Sequence, residues 1–183
     1  MLTRHSAHPT SEIDSGVEIG EGCRIWHHAQ VRSGARLGPE TTLGKGVYVD
    51  REVVIGARCK IQNGANLFRG TVIEDGVFVG PGAIITNDRF PRAINRDGRM
   101  KADDDWRLQG SLIKFGASIG AGAIIRSGTV IGEWALVGAG AVVCHDVPPH
   151  SLVVGAPAKP IGLVCYCGTQ VRQEPCHICG WVP

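Results

Sequence analysis

Aromatic residues are scarce in this sequence of 183 residues, where Phe, Trp and Tyr together make up 5%. A core with so few rings has to be narrow and filled by aliphatic side chains. Neither charge dominates, with 19 Lys and Arg against 17 Asp and Glu, so nothing favours nucleic acid or a membrane surface as the main partner. No apolar run approaches the roughly 20 residues of a membrane-spanning helix. Residues 1–8 contain no apolar secretion core, and we therefore expect a cytoplasmic protein.

Glycine, in contrast, is abundant, with 26 residues. It shows no three-residue period, which excludes a collagen-like chain. Apolar residues make up 43% of the chain and charged residues 20%, so the sequence is not that of a disordered protein. Glycine often directly follows a large aliphatic residue, as in Ile19-Gly20, and we expect these glycines to supply unusual dihedral angles at recurrent corners.

Aliphatic residues recur every six positions in two blocks. From Ile13 to Ile85 each sixth residue is Ile, Leu or Val, and the residue four positions later is small or β-branched until Arg89 breaks the rule. The same period returns in a shifted phase from Ile113 to Val143. A helix repeats at 3.6 residues and a strand at 2, whereas a solenoid of short strands gives a period of six. The phase shift predicts one long loop over about residues 88–112.

This pattern resembles the hexapeptide-repeat family, whose fold is the all-β, left-handed parallel β-helix. The resemblance covers residues 7–160, which we expect to form one domain. It implies three hexads in each coil, so that residues 18 apart stack at about 4.8 Å. It also implies a homotrimer with acyl-donor and acceptor sites in the clefts between subunits.

The repeat of 18 residues per coil predicts which outward side chains lie above one another. Asn87 is expected to lie above Arg69, Arg51 and Ser33, and Asp88 above Gly70 and other small or acidic residues. Arg69 and Arg51 form a pair of guanidinium groups suited to a sugar carboxylate or a pyrophosphate. The alternative is a solvated edge in which both arginines pair with neighbouring carboxylates.

The start of the predicted loop carries a more specific resemblance. Residues 86–93 read Thr-Asn-Asp-Arg-Phe-Pro-Arg-Ala, with Lys-Ile-Gln-Asn at 60–63 and Gly-Ala-Ser-Ile-Gly-Ala at 116–121. These segments resemble N-acetyltransferases that act on the 3-amino group of a UDP-glucuronic acid derivative or a dTDP-deoxyhexose. The resemblance implies acetyl transfer from acetyl-CoA to an amine of a nucleotide-linked amino sugar, in bacterial surface-glycan biosynthesis.

For the reaction itself, the resemblance implies positioning rather than a catalytic histidine. Asn87 would hold the sugar and its amine, and Asp88 would accept a hydrogen bond from the amine or relay its proton. Main-chain N–H groups of the coil would stabilise the oxyanion. The alternative for both residues is a turn at the exit to the loop, because Asn and Asp favour turns.

Two further sets of contacts follow from the resemblance. Residues expected near the substrate are Gln62, Asn63, Arg92 and His28. Residues expected near CoA are Ser118, Ala123 and Gly138 through the main chain, and Arg126 and Lys159 through their charges. The ending Val154–Lys159 matches CoA-dependent members. Each basic residue has the alternative of a solvated surface charge, and His28 that of a structural role at a trimer edge.

Four cysteines lie past the last repeat. Cys165, Cys167, Cys176 and Cys179 form two knuckles, each followed by glycine, with a short hairpin expected at 170–175. Four thiols at this spacing favour a structural zinc site in a small module of residues 161–183. A disulfide pair is the alternative, disfavoured in a reducing cytosol, and His177 is an alternative fourth ligand. Cys23 and Cys59 fall on small inward positions and are expected in the core.

Three other functions remain open at this point. An O-acetyltransferase acting on a sugar would have the same fold. A zinc-dependent carbonic anhydrase of this fold would need three converging histidines, and neither His27 nor His28 has a histidine in the coils above it. A non-enzymatic scaffold would have no use for the Asn87-Asp88 loop or the CoA-type ending.

Overall fold

The computed structural model describes residues 5–172 and 174–183. Residues 1–4, which belong to the segment expected to lack a secretion signal, and Gln173, in the predicted hairpin, lie outside the described residues. The described chain consists of short β-strands and a single 3₁₀ turn. The all-β prediction is therefore confirmed.

The strands are numbered in chain order. Strands β1 to β7 are Ser6–Ala7, Glu12–Ile13, Glu18–Ile19, Arg24–Ile25, Gln30–Val31, Arg36–Leu37 and Thr42–Leu43. Strands β8 to β14 are Tyr48–Val49, Val54–Ile55, Lys60–Ile61, Asn66–Leu67, Val72–Ile73, Phe78–Val79 and Ile84–Ile85. The 3₁₀ turn is Asp103–Asp105. Strands β15 to β20 are Leu112–Ile113, Ser118–Ile119, Ile124–Ile125, Val130–Ile131, Leu136–Val137 and Val142–Val143. Strands β21 to β23 are Ser151–Val154, Lys159–Val164 and Gln170–Val171.

Consecutive strands enter three different sheets in turn, so every third strand pairs with its predecessor in parallel. Lys60 pairs with Thr42 on one side and with Phe78 on the other, each 18 positions away. This register confirms the predicted stacking of three hexads per coil. The chain forms a parallel β-helix with a ten-stranded, a seven-stranded and a six-stranded face. Its left hand stays a prediction from the resemblance.

The interior contains the two residue classes that the period identified. The large positions, such as Ile61 and Leu67, are fully buried, and so are the small ones between them, such as Cys59 and Ala65. Cys23 and Cys59 lie in this core as predicted. From β4 to β20 each two-residue strand buries its second side chain and leaves its first exposed or half-buried, as in Lys60–Ile61.

The glycines form two sets with different roles. The unusual dihedral angles that we predicted for glycines after large residues occur in a second set of glycines instead. Those directly after a large residue, such as Gly120, do not have positive φ angles. A Cβ on Gly120 would lie 2.5 Å from the backbone nitrogen of Ala139, so the next coil excludes a side chain there. The left-handed φ angles occur two residues further on, as at Gly122 (φ 65°).

The loop interrupts the coil without disturbing its register. Val72 pairs with Leu112, 40 positions away instead of 18, so the insertion adds 22 residues. We call residues 86–111 the inserted loop; it contains a bridge between Ile94 and Met100 and the 3₁₀ turn. The predicted loop of 88–112 matches these bounds to within two residues.

The coil ends in a hairpin rather than at a domain boundary. Strand β21 continues the ten-stranded sheet in parallel, and β22 and β23 then add to it as antiparallel strands. The predicted boundary after residue 160 falls inside β22. This strand, Lys159–Val164, pairs with β21 and leads directly into the first cysteine knuckle.

In the described part of the chain, no helix has the length and apolar character needed to cross a membrane.

The alternating burial gives a direct test of the core. Replacing Ile61 by Ala removes a fully buried side chain, and should lower the free energy of unfolding by about 2–5 kcal/mol. Lys60→Ala, on the exposed side of the same strand, is the control and should cost less than about 1 kcal/mol. Chemical denaturation of both variants measures the difference. Equal effects would contradict the inward assignment of the sixth position.

Candidate functional site

Asn87 lies where the chain leaves the coil. It is the second residue after β14, and the register places it one coil above Arg69 and two coils above Arg51. Its carbonyl oxygen accepts a hydrogen bond from the N–H of Gln109, which ties together the two ends of the inserted loop (3.1 Å). The half-buried side-chain amide has no hydrogen-bond partner within the described residues. It is therefore free to bind a ligand.

Asp88 follows at the first turn of the inserted loop. Its Oδ1 accepts a hydrogen bond from the N–H of Phe90 at 2.8 Å, which is the turn predicted as the alternative. In the described part of the chain Oδ2 makes no hydrogen bond. The carboxylate also lines a cavity of about 290 Å³ inside the loop. The turn thus fixes one oxygen and leaves the second for a ligand.

Arg69 and Arg51 stack below Asn87 as predicted, but both are paired with carboxylates. Arg69 Nε donates to Glu52 Oε2 at 2.8 Å. Arg51 Nη2 donates to Asp103 Oδ2 of the inserted loop at 3.1 Å. This arrangement is the solvated edge that the sequence left open. Because Arg51 and Asp103 are 52 positions apart, their ion pair links the loop to the coil.

Gln62 and Asn63 lie at a different corner of the prism, after β10 of the ten-stranded sheet. Together with Trp26 and His27 they line a cavity of about 260 Å³. Asn63 Oδ1 accepts a hydrogen bond at 2.9 Å from the N–H of Lys45, which lies 18 positions earlier in the coil below. In one protomer the set is therefore separated from Asn87 by one face of the coil.

The histidines near the first coils form a stack that the sequence analysis missed. The rings of His8 and His27 lie 3.5 Å apart. His8 belongs to the coil below His27, whereas the sequence prediction concerned the coils above it. Lost hydration, together with His8, lowers the pKa of His27. His28 is exposed, has a φ of 57°, and its N–H donates to Thr10 Oγ1.

Arg92, another predicted substrate contact, is exposed in the inserted loop. Its Nη1 donates to the carbonyl oxygen of the preceding Pro91 at 3.0 Å. It does not line the loop cavity that includes Asp88.

The residues expected to bind CoA fall at two corners. Ser118 and Gly138 belong to the ten-stranded sheet, and Lys159 is exposed on β22 at its end. Arg126 instead follows β17 of the seven-stranded sheet, one coil above Thr86, and its Nη2 donates to the carbonyl oxygen of Cys144. Its Nε is buried without a partner among the described residues.

Ala123 fits its predicted role poorly. Its side chain is fully buried in the core. Its N–H donates to the carbonyl oxygen of Gly120 at 3.2 Å, and its own carbonyl oxygen accepts from the N–H of Ile84 at 2.9 Å. Coil hydrogen bonds therefore use both main-chain groups. The same holds for Gly138, whose N–H donates to the carbonyl oxygen of Val153 at 2.8 Å.

A histidine that the predicted stacking did not identify lies on the corner of Asn87. Counting 40 positions across the inserted loop and 18 thereafter places Ser127 above Asn87, and His145 above Ser127. His145 is exposed and two coils from Asn87, roughly 10 Å at one strand spacing per coil. The length of the insertion, which the sequence alone gave only approximately, was the missing signal.

The four predicted cysteines converge. Their sulfur atoms all lie within 4.8 Å of one another, and none is in a disulfide. The Sγ atoms of Cys165 and Cys176 are 3.3 Å apart, and those of Cys167 and Cys176 are 3.6 Å apart. Zn–S bonds of about 2.3 Å in a tetrahedron place sulfurs about 3.8 Å apart. The donor set and the spacing therefore fit zinc.

The thiols differ in their ionisation. A hydrogen bond from Thr169 Oγ1 lowers the pKa of Cys167 to about 6, while burial raises the pKa of Cys165 to about 12. Thiolates are the form that binds metal. Among the described residues, these cysteines are the only group of three or more side chains placed to hold one metal ion.

An aromatic cluster attaches the cysteine module to the coil. The ring of His150 stacks on Trp181 at 4.6 Å and meets Tyr166 edge-on at 5.1 Å. Tyr166 in turn contacts Trp134, which occupies a coil corner as expected. The module therefore packs on the last coil through rings that are scarce elsewhere.

Comparison with known proteins supports the repeat. The family described as "Hexapeptide repeat of succinyl-transferase" matches residues 116–144. This segment therefore carries a hexapeptide repeat. The chain is 32% identical to serine acetyltransferase of Escherichia coli K12 over 119 residues, which are 63% of the chain and 42% of that enzyme. It thus spans less than half the length of this relative.

Solved structures share the fold. A mutant of perosamine N-acetyltransferase from Caulobacter crescentus, in complex with CoA and GDP-perosamine, superposes with a TM-score of 0.53 at 22% identity, covering 86% of this chain and 56% of that one. The acetyltransferase domain of PglB from Neisseria gonorrhoeae, with acetyl coenzyme A, gives 0.54 at 23% identity, covering 87% and 58%. The chain therefore shares the parallel β-helix fold of these acetyltransferases.

The Arg51–Asp103 ion pair makes a prediction that separates anchoring from substrate binding. Arg51→Met and Asp103→Asn should alter KM for the acyl acceptor of the reaction proposed below by the same factor. The KM of the double variant should equal that of either single variant, since each substitution breaks the same contact. An exposed pair is worth less than about 1 kcal/mol, so unfolding should change little. A raised KM in Arg51→Met alone would assign this arginine directly to the substrate.

Proposed function

We propose that the protein is an acetyl-CoA-dependent N-acetyltransferase acting on an amino group, at C3 by the motif resemblance, of a nucleotide-linked amino sugar. The observation that carries the proposal is the loop exit, where an amide and a carboxylate oxygen without partners in the described residues lie together beside a cavity. The shared fold of sugar acetyltransferases supports the same assignment.

The reaction needs a neutral amine placed against the thioester carbon. The amine nitrogen forms a bond to this carbon, and the tetrahedral adduct then expels the CoA thiolate. Asn87 holds the amine and the sugar through its free amide. Asp88 Oδ2 accepts a hydrogen bond from the amine, or takes the proton that the nitrogen loses and passes it to the thiolate or to water.

Two chains are needed to complete this site. The predicted CoA contacts Ser118 and Lys159 lie on the ten-stranded sheet or its extension, whereas Asn87 and Asp88 end a strand of the seven-stranded sheet. A neighbouring protomer that presents its ten-stranded edge to the Asn87 corner would bring them together. We therefore propose a homotrimer with three equivalent clefts, in line with the motif resemblance.

Loss of the Asn87 amide tests the site. Asn87→Ala should lower kcat/KM by about 100-fold or more, because a misplaced nucleophile loses the benefit of orientation. The assay uses acetyl-CoA with a panel of UDP-, dTDP- and GDP-linked amino sugars. Ser33→Ala, three coils below on the same corner, is the control and should keep full activity. Near-normal turnover of Asn87→Ala with an unchanged trimer would reject the assignment.

O-acetyl transfer is the second candidate, because the curated relative is a serine acetyltransferase. The matched region covers 42% of that enzyme, so the likeness extends to the coil and not to the whole protein. Including L-serine and a hydroxyl sugar in the same panel separates the two. Turnover of a hydroxyl acceptor and of no amine would replace the first proposal with this one.

We also propose that Cys165, Cys167, Cys176 and Cys179 bind one zinc ion in a structural role. Four sulfur donors leave no coordination position for a substrate. Each knuckle is closed by local hydrogen bonds, such as that from the N–H of Gly168 to the carbonyl oxygen of Cys165 (3.0 Å). The ion would hold together a segment whose buried cluster is otherwise small: Cys165, Val171 and Cys176.

Metal content tests this second proposal. Reduced protein should contain one zinc per chain by elemental analysis, and removal by a chelator should lower the Tm, because metal-binding energy contributes to folding. Cys176→Ser should lose the metal. Cys144→Ser, a cysteine outside the cluster, should retain it. Fully reduced protein that lacks zinc after growth and dialysis with the metal would contradict the site.

A further inference from the structure

The cavity of the inserted loop has a lining unlike the rest of the surface. One wall consists of residues 88–90, and Trp106, Arg107 and Gln109 form another, with Lys101 also lining the space. The cavity measures about 290 Å³, close to the lower end of small-molecule sites. Because both walls belong to the inserted loop, the solenoid itself does not require this space.

Its charge favours an anion. Three cationic side chains line the cavity, Arg89, Lys101 and Arg107, against the single carboxylate of Asp88. Elsewhere in the loop arginines do pair, as Arg99 does with Asp97 at 2.7 Å. No ion pair within the described residues involves Arg89 or Arg107. Arg89 and Arg107 both line this one cavity, and arginine guanidinium groups suit phosphate oxygens, which they bind in a bidentate manner.

Its remaining groups favour a nucleoside. Phe90 is 76% exposed, which is unusual for an aromatic ring in a chain with so few, and Trp106 is half-buried. Flat apolar rings of this kind stack on bases, at about 1–3 kcal/mol per base. Gln109 Oε1 is buried with no hydrogen-bond partner in the described structure, and it is an acceptor suited to an N–H of a base or to a ribose hydroxyl.

We infer that this cavity binds the nucleoside diphosphate of the substrate, with Arg89, Arg107 and Lys101 on the phosphates. This inference rests on the proposed function, because Asp88 lines the cavity and would then meet the attached sugar. CoA also carries an adenosine diphosphate. The inference commits to the sugar nucleotide because Asp88, which is proposed to meet the amine of the sugar, lines the same cavity. The test therefore measures CoA beside the nucleoside diphosphates.

Direct binding tests the inference without turnover. Calorimetry measures Kd for UDP, dTDP, GDP and CoA with the full chain and with Arg89→Ala, Arg107→Ala and Arg107→Gln. At least one nucleoside diphosphate should bind, and each substitution should weaken it about tenfold or more, as expected for a charge-assisted contact. CoA affinity should stay unchanged. Arg96→Ala, a loop arginine outside the cavity, is the matched control and should bind as the unaltered chain does.

The outcomes separate the inference from the proposed function. If no nucleoside diphosphate binds, or if binding ignores Arg89 and Arg107, the inference is overturned while acetyl transfer to amines can still be observed. If the substitutions weaken CoA instead, the cavity belongs to CoA and the inference is overturned. If diphosphate binding depends on both arginines and no amino sugar is acetylated, the cavity assignment stands and the proposed reaction fails.

Discussion

The stacking of each coil on the one below is the interaction on which the rest of the molecule depends. Two-residue strands are far too short to be stable alone. Each is stabilised because its main chain bonds to the coils above and below, and because its one inward side chain packs on an equivalent residue 18 positions away. The narrow interior explains why the core needs Ile, Leu and Val at one position and Ala, Val, Cys or Thr at the other. It also leaves no room for aromatic rings.

A scaffold with this repeat can accept an insertion only where it returns to the same register. The inserted loop does so, since Ile84 still pairs with Ile124 and the next coil continues. The carbonyl of Asn87 and the N–H of Gln109 join its two ends. The rigid coil and the irregular loop therefore meet at Asn87. The coil holds the polar side chains at this junction in place, and its stability comes from its own hydrogen bonds and core. Functional residues are commonly found at such junctions.

The sequence predicted most of the fold because the interior imposes its period on the chain. The same rule located the stack of Arg69 and Arg51 below Asn87 and the start of the inserted loop. It failed where the period carries no information. The glycines after large residues are required by the approach of the next coil, as Gly120 shows, and not by dihedral angles. The position of His145 depends on the length of the insertion. The point at which the coil ends, inside β22, depends on antiparallel pairing. For Arg69 and Arg51, the spacing predicted that they stack. It did not predict whether they bind a ligand or pair with a carboxylate of the chain, because that depends on side chains from distant segments such as Asp103.

The antiparallel turn at β22 also has a consequence for association. The final strands of a solenoid present unpaired main-chain groups, to which the first coil of another molecule can add, and repetition of that contact produces filaments. In this chain β22 and β23 occupy the free edge of β21 with strands running the opposite way, and the cysteine knuckles follow directly. An incoming parallel coil therefore finds this end of the ten-stranded face already covered, which limits growth of the molecule along its own axis.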